Sequence, residues 1–517
     1  ADPFGYYAEV RPATASRIWS LDGFTWTDRE WMQSRSKNYN QPMSIYEVHL
    51  GSWKTRRGIK GAERFYSYDD LVDTLLPYVK QQGFTHIELL PLTEHPLDAS
   101  WGYQVSGYFS ATSRYGTPQQ LMHFIDCCHR EKIGVIMDFV PAHFIRDNYA
   151  LSKFDGTYLY ESADSSLRNS EWGTVFFDFT KSHVVSFLKS AVDFWLTCYH
   201  FDGIRYDAVS RLIYTCGQES RGINEAGLWF LRSTNYAMQT RHPSAMLIAE
   251  DSTNFLKVTA PVEYGGLGFD YKWDLGWMND SLDYMMKRPD ERPAFSKELT
   301  FSMDYFYKDI FLLPLSHDEV VHGKKTIIDK IYGSYEEKFP QLRLFWLYMF
   351  TRPGKKLNFM GNELAEFKEW DESGELSWNL LTYPIHDAFH RYVLALQKFY
   401  RQHPALYQND YHPKSFEWMD LSHTNDCIFS YCRDSLEGSN REVLYTALNF
   451  SARPMTDYFL PVREAGTYTE LLNTDASTFG GRGHCNPDAE TRFEHGRNGI
   501  RIDLPAFSGI VFVKKQQ

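Results

Sequence analysis

Asp207 and Glu250 each stand where a short apolar run stops, GIRYD closing on the aspartate and LIAE on the glutamate. Two carboxyl groups held about 5–5.5 Å apart across a bond can cleave a glycosidic linkage with retention, provided one is ionised and the other protonated. Arg205 precedes Asp207 by two residues, so alternation along a strand sends both side chains to one face, where the guanidinium can keep the aspartate ionised as a nucleophile. Glu250 follows an apolar stretch and neighbours that negative charge. Both effects raise a carboxyl pKa, as a group that first donates and then accepts a proton requires.

Three more segments put polar residues where apolar runs stop: WGYQ at 101–104, DFVPAH at 138–143 and LSHDEV at 315–320. Any one of these acids could be a solvated loop residue, but such placement five times over points to a site. Asp318 suits the hydroxyls flanking a reacting sugar carbon, contacts that tighten as the ring flattens. His143 and His317 are candidate donors to sugar hydroxyls, or alternatively satisfied structural histidines. Tyr103, in a Gly-flanked loop, offers a ring for stacking under a sugar.

Eight apolar runs are spaced to carry these residues: Ser44–Gly51, Thr85–Leu92, Gly134–Val140, Phe201–Asp207, Ala245–Glu250, Leu267–Trp273, Ile310–Ser316 and Leu357–Met360. Amphipathic segments lie between them. In Ser182–Tyr199, Val184, Leu188, Ala191 and Trp195 share a helical face, and Ser182 can cap the start. Alternating strands and helices with apolar strands predict an α/β fold, a (β/α)8 TIM barrel over 44–405 with its reactive groups at the strands' C-terminal ends. The stretch at about 144–181 breaks the rhythm and is expected to wall one side of a cleft. Beyond 405 short alternating runs (Ile428–Tyr431, Val443–Asn449, Met455–Leu460, Ile500–Leu504) predict a C-terminal antiparallel β-sandwich domain over 406–517. Residues 1–43 read as a linker.

With 54 Lys+Arg against 66 Asp+Glu the formal charge is −12, which argues against nucleic-acid binding. No apolar run is long enough to span a membrane. The opening ADPFGYY has no export-signal pattern, and the seven cysteines form no CxxC pair, so a reduced, cytoplasmic setting is expected. Aromatic residues make up 16% of the chain, more than a core requires, and sugars pack on aromatic faces.

These segments resemble the four signature regions of the α-amylase superfamily, glycoside hydrolase family 13, from about residue 44 onward. SWGYQ at 100–104, AHFIRD at 142–147, SHDEVVHGKK at 316–325 and FMGNELAEFKEW at 359–370 are similar to its 1,4-α-glucan branching subgroup. The resemblance implies Asp207 as nucleophile, Glu250 as proton donor and Asp318 as transition-state stabiliser. It also implies Tyr103, Asp138, His143, Arg205 and His317 as glucose-binding residues. An α-glucan polysaccharide such as amylose, amylopectin or glycogen is the implied partner, with no cofactor and with a monomer favoured. The opening residues are similar to the end of an N-terminal carbohydrate-binding module. Two departures stand out: Ala142 replaces the Asn with which many amylases hold calcium, so no metal is expected, and Tyr206 follows Arg205 where small apolar residues are usual. The competing readings are an α-glucan hydrolase of the same superfamily, since the carboxylates do not choose between water and a sugar hydroxyl, and a non-catalytic glucan-binding protein.

Overall fold

The computed structural model describes residues 1–56, 58–59, 61–436 and 441–515; residues 437–440 and 516–517 of the expected C-terminal domain lie outside them. Eight parallel strands close into a barrel: β1 (Ser44–Val48), β2 (His86–Leu89), β3 (Gly134–Phe139), β4 (Gly203–Tyr206), β5 (Met246–Ala249), β6 (Tyr271–Trp273), β7 (Phe311–Leu315) and β8 (Lys355–Phe359). Each pairs with its sequence neighbours, and β8 pairs with β1 to shut the ring. Every expected run supplies a strand, and the starts of β6 and β8 are displaced for identifiable reasons. Gly268 takes a left-handed φ of 77°, which delays β6 to Tyr271. β8 begins earlier than its apolar residues, at Lys355 and Lys356. The buried Lys355 ammonium is satisfied by the Gln41 and Tyr407 carbonyls at 3.0 Å each and by Asp410 at 3.1 Å.

The outer ring comprises α1 (Tyr68–Gln82), α2 (Pro118–Arg130), α3 (Ser182–Cys198), α4 (Glu225–Arg241), α5 (Leu275–Met286), α6 (Tyr335–Thr351) and α7 (Pro384–Gln402). Ser67 and Thr117 start α1 and α2 with capping boxes to Asp70 and Gln120. In α3 the face of Val184, Leu188, Ala191 and Trp195 is fully buried, but the cap position is Lys181, so Ser182 sits inside the first turn. Between β5 and β6 the chain forms only a 3-10 turn, Val262–Tyr264.

Alternation fills the barrel interior with Met43, Ile45, Ile136, Met246, Ile248, Tyr271, Trp273, Leu312 and Leu357. Residues of opposite parity face the helices. That parity accounts for Tyr206: fully buried, its ring packs edge-on against Phe269 at 5.2 Å and near Phe139 at 6.2 Å, in the layer between barrel and helices.

Residues 28–39 pack across the barrel's underside. Asp28 joins His129 and His200 at 2.8 Å each, Trp31 donates to Asp202 at 2.8 Å, and Lys37 and Tyr39 reach Asp270 at 2.6 and 2.7 Å.

After α7 the chain builds two antiparallel sheets. One contains β9 (Phe416–Asp420), β10 (Ile428–Asp434), β11 (Val443–Asn449), β13 (Thr467–Asn473) and β15 (Ser508–Lys514); the other pairs β12 (Met455–Pro461) with β14 (Arg497–Leu504). Inward residues of both, among them Tyr445, Leu460, Ile500, Ile502 and Phe512, form its own core. Arg433 of β10 donates to Asp410 at 2.6 Å, the same aspartate that pairs with Lys355, which ties this domain to the barrel. No helix among the described residues is long and apolar enough to cross a membrane.

Candidate active site

Above the apolar interior the inward positions turn polar. Arg205 on β4 lies in register with Asp138 on β3, and one guanidinium nitrogen, Nη1, donates to both oxygens of Asp138 at 2.8 and 2.9 Å. The same nitrogen donates to Asp207 Oδ1 at 2.9 Å, while Nη2 stands 3.8 Å from Glu250 Oε2. Beneath it, Arg205 lies over the Trp273 ring at 4.5 Å, a cation–π seat that suits a buried guanidinium.

Asp207 leaves β4 as its amide donates to the Phe139 carbonyl at 2.9 Å. Ala208 then takes a left-handed φ of 49°. That turn aims the Ala208 amide at Glu250 Oε2, 2.7 Å away. A non-glycine residue pays about 1–2 kcal/mol for this conformation. With Oε2 engaged, Oε1 is the oxygen available to carry an acidic proton.

Burial pushes Asp207 up to about 8, the Asp138 and Glu250 carboxylates adding to the push and Arg205 opposing it. Burial raises Glu250 as well, again against Arg205. Two interacting carboxyls raised together titrate as a pair rather than singly. The direct bond from Arg205 assigns the charge to Asp207 and the proton to Glu250.

The loop after β2 supplies Tyr103. Gly102 before it has φ 99°, and a Cβ there would lie 2.4 Å from the Pro91 carbonyl, so only glycine allows this turn. Tyr103 Oη donates to Asp138 Oδ2 at 2.5 Å and lies 3.2 Å from His317 Nε2, with the two rings stacked at 5.6 Å. His317, just after β7, is gripped by Glu47 of β1, whose carboxylate takes the His317 amide at 3.0 Å and Nδ1 at 2.5 Å. Asp318 Oδ1 lies 3.4 Å from His317 Nε2, and its side chain is 54% exposed. Though half exposed, Asp318 is partly desolvated by the protein around it, which works against its charge, but His317 and Arg205 outweigh this and hold its pKa below the ordinary value.

Tyr103, Asp138, Arg205, Asp207, Glu250, His317 and Asp318 therefore form one connected cluster. His143 adjoins it without a hydrogen bond into it. Its ring lies 5.1 Å from Trp172, and burial, helped by Arg211, depresses it to about 3, so it is neutral. Trp172 comes from the excursion after β3, where Arg211 lies over it at 4.8 Å and Gln104 donates to its carbonyl at 3.4 Å. The excursion thus reaches the loops after β2 and β4. Trp101 and Trp370, with centroids 4.7 Å apart, stand edge-on to His317. Sequence reasoning missed Glu47, Glu88, Trp101, Trp172, Arg211 and Trp370. The two glutamates carried a signal, a lone acid inside an apolar strand (YEVHL, HIELL); the others come together only through loop geometry. At Ala142 the side chain is buried, and no cluster of metal-ligating side chains occurs among the described residues.

The family descriptions "Alpha amylase, catalytic domain" and "Alpha amylase, C-terminal all-beta domain" match residues 71–166 and 418–515. The chain is 46% identical over 524 residues to the 1,4-alpha-glucan branching enzyme GlgB of Bacillus caldolyticus, covering 100% of this chain and 78% of that one. The chain belongs to the 1,4-alpha-glucan branching enzyme family. The Geobacillus stearothermophilus branching enzyme GlgB is 44% identical, with 98% of this chain and 80% of that one covered. The fold of the family extends further. A pullulanase from Paenibacillus barengoltzii superposes with a TM-score of 0.75 at 16% identity, covering 100% of this chain and 83% of that one. A putative alpha amylase from Salmonella typhimurium gives 0.72 at 17%, covering 99% and 88%. Those likenesses bear on fold alone.

Proposed function

We propose that the chain cleaves an α-1,4-glucan and transfers the released segment to a 6-hydroxyl, forming an α-1,6 branch. Family membership carries the choice of reaction, and the Arg205-centred carboxylate cluster supports the chemistry.

Asp207, ionised beside Arg205, attacks the anomeric carbon as the glycosidic C–O bond breaks. Glu250 gives its proton to the departing oxygen. In the second step the glucan 6-hydroxyl attacks the same carbon, Glu250 takes its proton, and Asp207 leaves. Asp318, Asp138 and Tyr103, with Arg205, His317 and His143, serve the glucose hydroxyls. Charged donors and acceptors held by their own partners cost little reorganisation when the transition state forms. Transfer exceeds hydrolysis when a glucan hydroxyl, rather than water, reaches the intermediate. Trp101, Trp172 and Trp370 offer sugar-binding faces beside the site. Seven free cysteines, four of them buried, support a reduced cytoplasmic setting.

Incubation with amylose tests this reading. Branching lowers the iodine colour and yields short chains upon isoamylase treatment without matching new reducing ends. Loss of colour with stoichiometric reducing ends identifies a hydrolase instead.

A further inference from the structure

Below the residues that face the sugar, two glutamates occupy the barrel interior where apolar residues would be expected. Glu47 on β1 and Glu88 on β2 are directly in register, and neither side chain is exposed. Adjacent strands lie about 4.8 Å apart, and two carboxylates that close in a dry interior do not both ionise. Their hydrogen bonds separate them. Glu47 is engaged at both oxygens by His317, whereas neither Glu88 oxygen has a protein partner.

Proton accounting at His317 follows from the same contacts. Nδ1 faces the Glu47 carboxylate. Nε2 faces Tyr103 Oη at 3.2 Å and Asp318 Oδ1 at 3.4 Å. The Tyr103 proton is already directed at Asp138, an acceptor-only carboxylate bound by Arg205, so the tyrosine presents His317 with a lone pair. Both ring nitrogens therefore meet acceptors. A neutral imidazole has one donor and cannot serve both sides.

We propose that Glu47 is a positioning residue for glucan transfer: its two-point grip holds His317 as a fixed imidazolium under the reacting sugar, while Glu88 stays protonated and leaves one negative charge at the barrel floor. The charged groups around the ring agree. Burial disfavours the cation, but Asp318 and Glu47 lift His317 to about 9, with Arg205 opposing them. Burial, with Glu47 and Asp138, raises Glu88 far above the carboxylate range, against Arg205 and His317. His49, the other titratable ring influenced by His317, is depressed to about 3, first by burial, and adds no charge. A cationic donor with its ring pinned at Nδ1 gives the Nε2–H a fixed direction and a stronger bond to a hydroxyl than a neutral donor would.

The role rests on the transferase reading only in the choice of activity assay, because the protonation of His317 can be read without turnover. In full-length protein carrying 13C-labelled histidine, the His317 Cε1 resonance, assigned by its loss in His317→Gln, is expected to remain that of an imidazolium at pH 7 and to titrate near 9. A His317 that is neutral at pH 7 overturns the proposal in the wild-type protein, whatever the enzyme's reaction. In Glu47→Gln the titration moves down by a unit or more, the alkaline limb of kcat moves with it, and kcat falls roughly 10–100-fold with a smaller change in KM. Glu88→Gln, which substitutes a neutral group for one already neutral, keeps the wild-type titration and the wild-type alkaline limb. Equal shifts in both variants, or an unmoved alkaline limb in Glu47→Gln, refute the assignment. If Glu47→Gln does not fold, the wild-type titration and Glu88→Gln still decide the matter.

Discussion

Arg205 donates to Asp207 at 2.9 Å and stops 3.8 Å short of Glu250, so one guanidinium ranks two buried acids. That contact favours the charge on the closer carboxyl and the proton on the farther one. Burial and mutual repulsion raise both, and that asymmetry distinguishes them.

Replacing Arg205 with Gln removes the cation that opposes these effects. As the proposed nucleophile Asp207 must be ionised, and its pKa, already pushed up to about 8, rises further. The acidic limb of kcat/KM is expected to move to higher pH, with a loss of roughly 10²–10³ near neutrality. A pH–rate profile reads both, and an acidic limb that stays in place contradicts the ranking.

Under the proposed mechanism, Glu250→Gln removes the transferable proton and leaves the nucleophile. Turnover of amylose is expected to fall by at least about 10². A maltosyl fluoride needs little help from an acid to leave, so the first step proceeds while the second lacks its base. Peptide mass spectrometry is expected to find the trapped glycosyl group on Asp207; a label on any other carboxylate reassigns the nucleophile.

Gly102→Ala places a Cβ 2.4 Å from the Pro91 carbonyl at a backbone φ of 99°, so the loop must move and Tyr103 with it. The strain, more than about 1 kcal/mol, falls on this loop, and in a chain of this size it lowers the thermal midpoint by only a few degrees. Activity falls more than ten-fold because Tyr103 leaves Asp138 and His317. Unchanged activity with an unchanged midpoint would falsify the role given to this turn.

His129 on α2 is fully buried between Asp28 and Asp202, at 2.8 and 2.9 Å. Burial opposes its charge, but Asp202 and Asp28 lift it to about 9. An unfolded histidine titrates near 6.5, so the folded protein favours the cation by about 3 kcal/mol. That stabilisation is complete below about pH 6.5 and is lost as pH rises through 9. The difference in urea midpoint between wild type and His129→Gln is expected to be large at pH 6 and to shrink by pH 10. A difference independent of pH points to packing rather than charge.

The barrel was legible because parallel strands buried on both faces must be apolar, and an acid at the end of such a run stands out, as at Asp207 and Glu250. The same rule hid the start of β8, where Lys355 and Lys356 are buried only because Gln41, Tyr407 and Asp410 meet Lys355 and the Arg352 carbonyl meets Lys356 at 2.6 Å. Glu47 and Glu88 escaped notice for the opposite reason: they lie inside their strands, where register alone reveals that they face each other. In the C-terminal domain the expected runs leave out β9, β13 and β15. TYTELLN alternates weakly, and SGIVFVK reads as one apolar run whose partners, β11 and β13, lie far away in sequence. Tyr206 looked anomalous beside Arg205 until alternation placed it on the helix side.

The strap of residues 28–39 has a kinetic consequence. Trp31 bonds a residue 171 positions later, and Lys37 one 233 positions later. A ribosome making about 5–20 residues per second needs roughly ten seconds or more to bridge the longer gap. During that interval the rings of Trp31 and Tyr39 lack their final seats, exposed to chaperones and to one another. Assembly of the underside is thus paced by translation, and slowing or hastening the ribosome between residues 40 and 270 should alter the yield of native protein more than the same change made later in the chain.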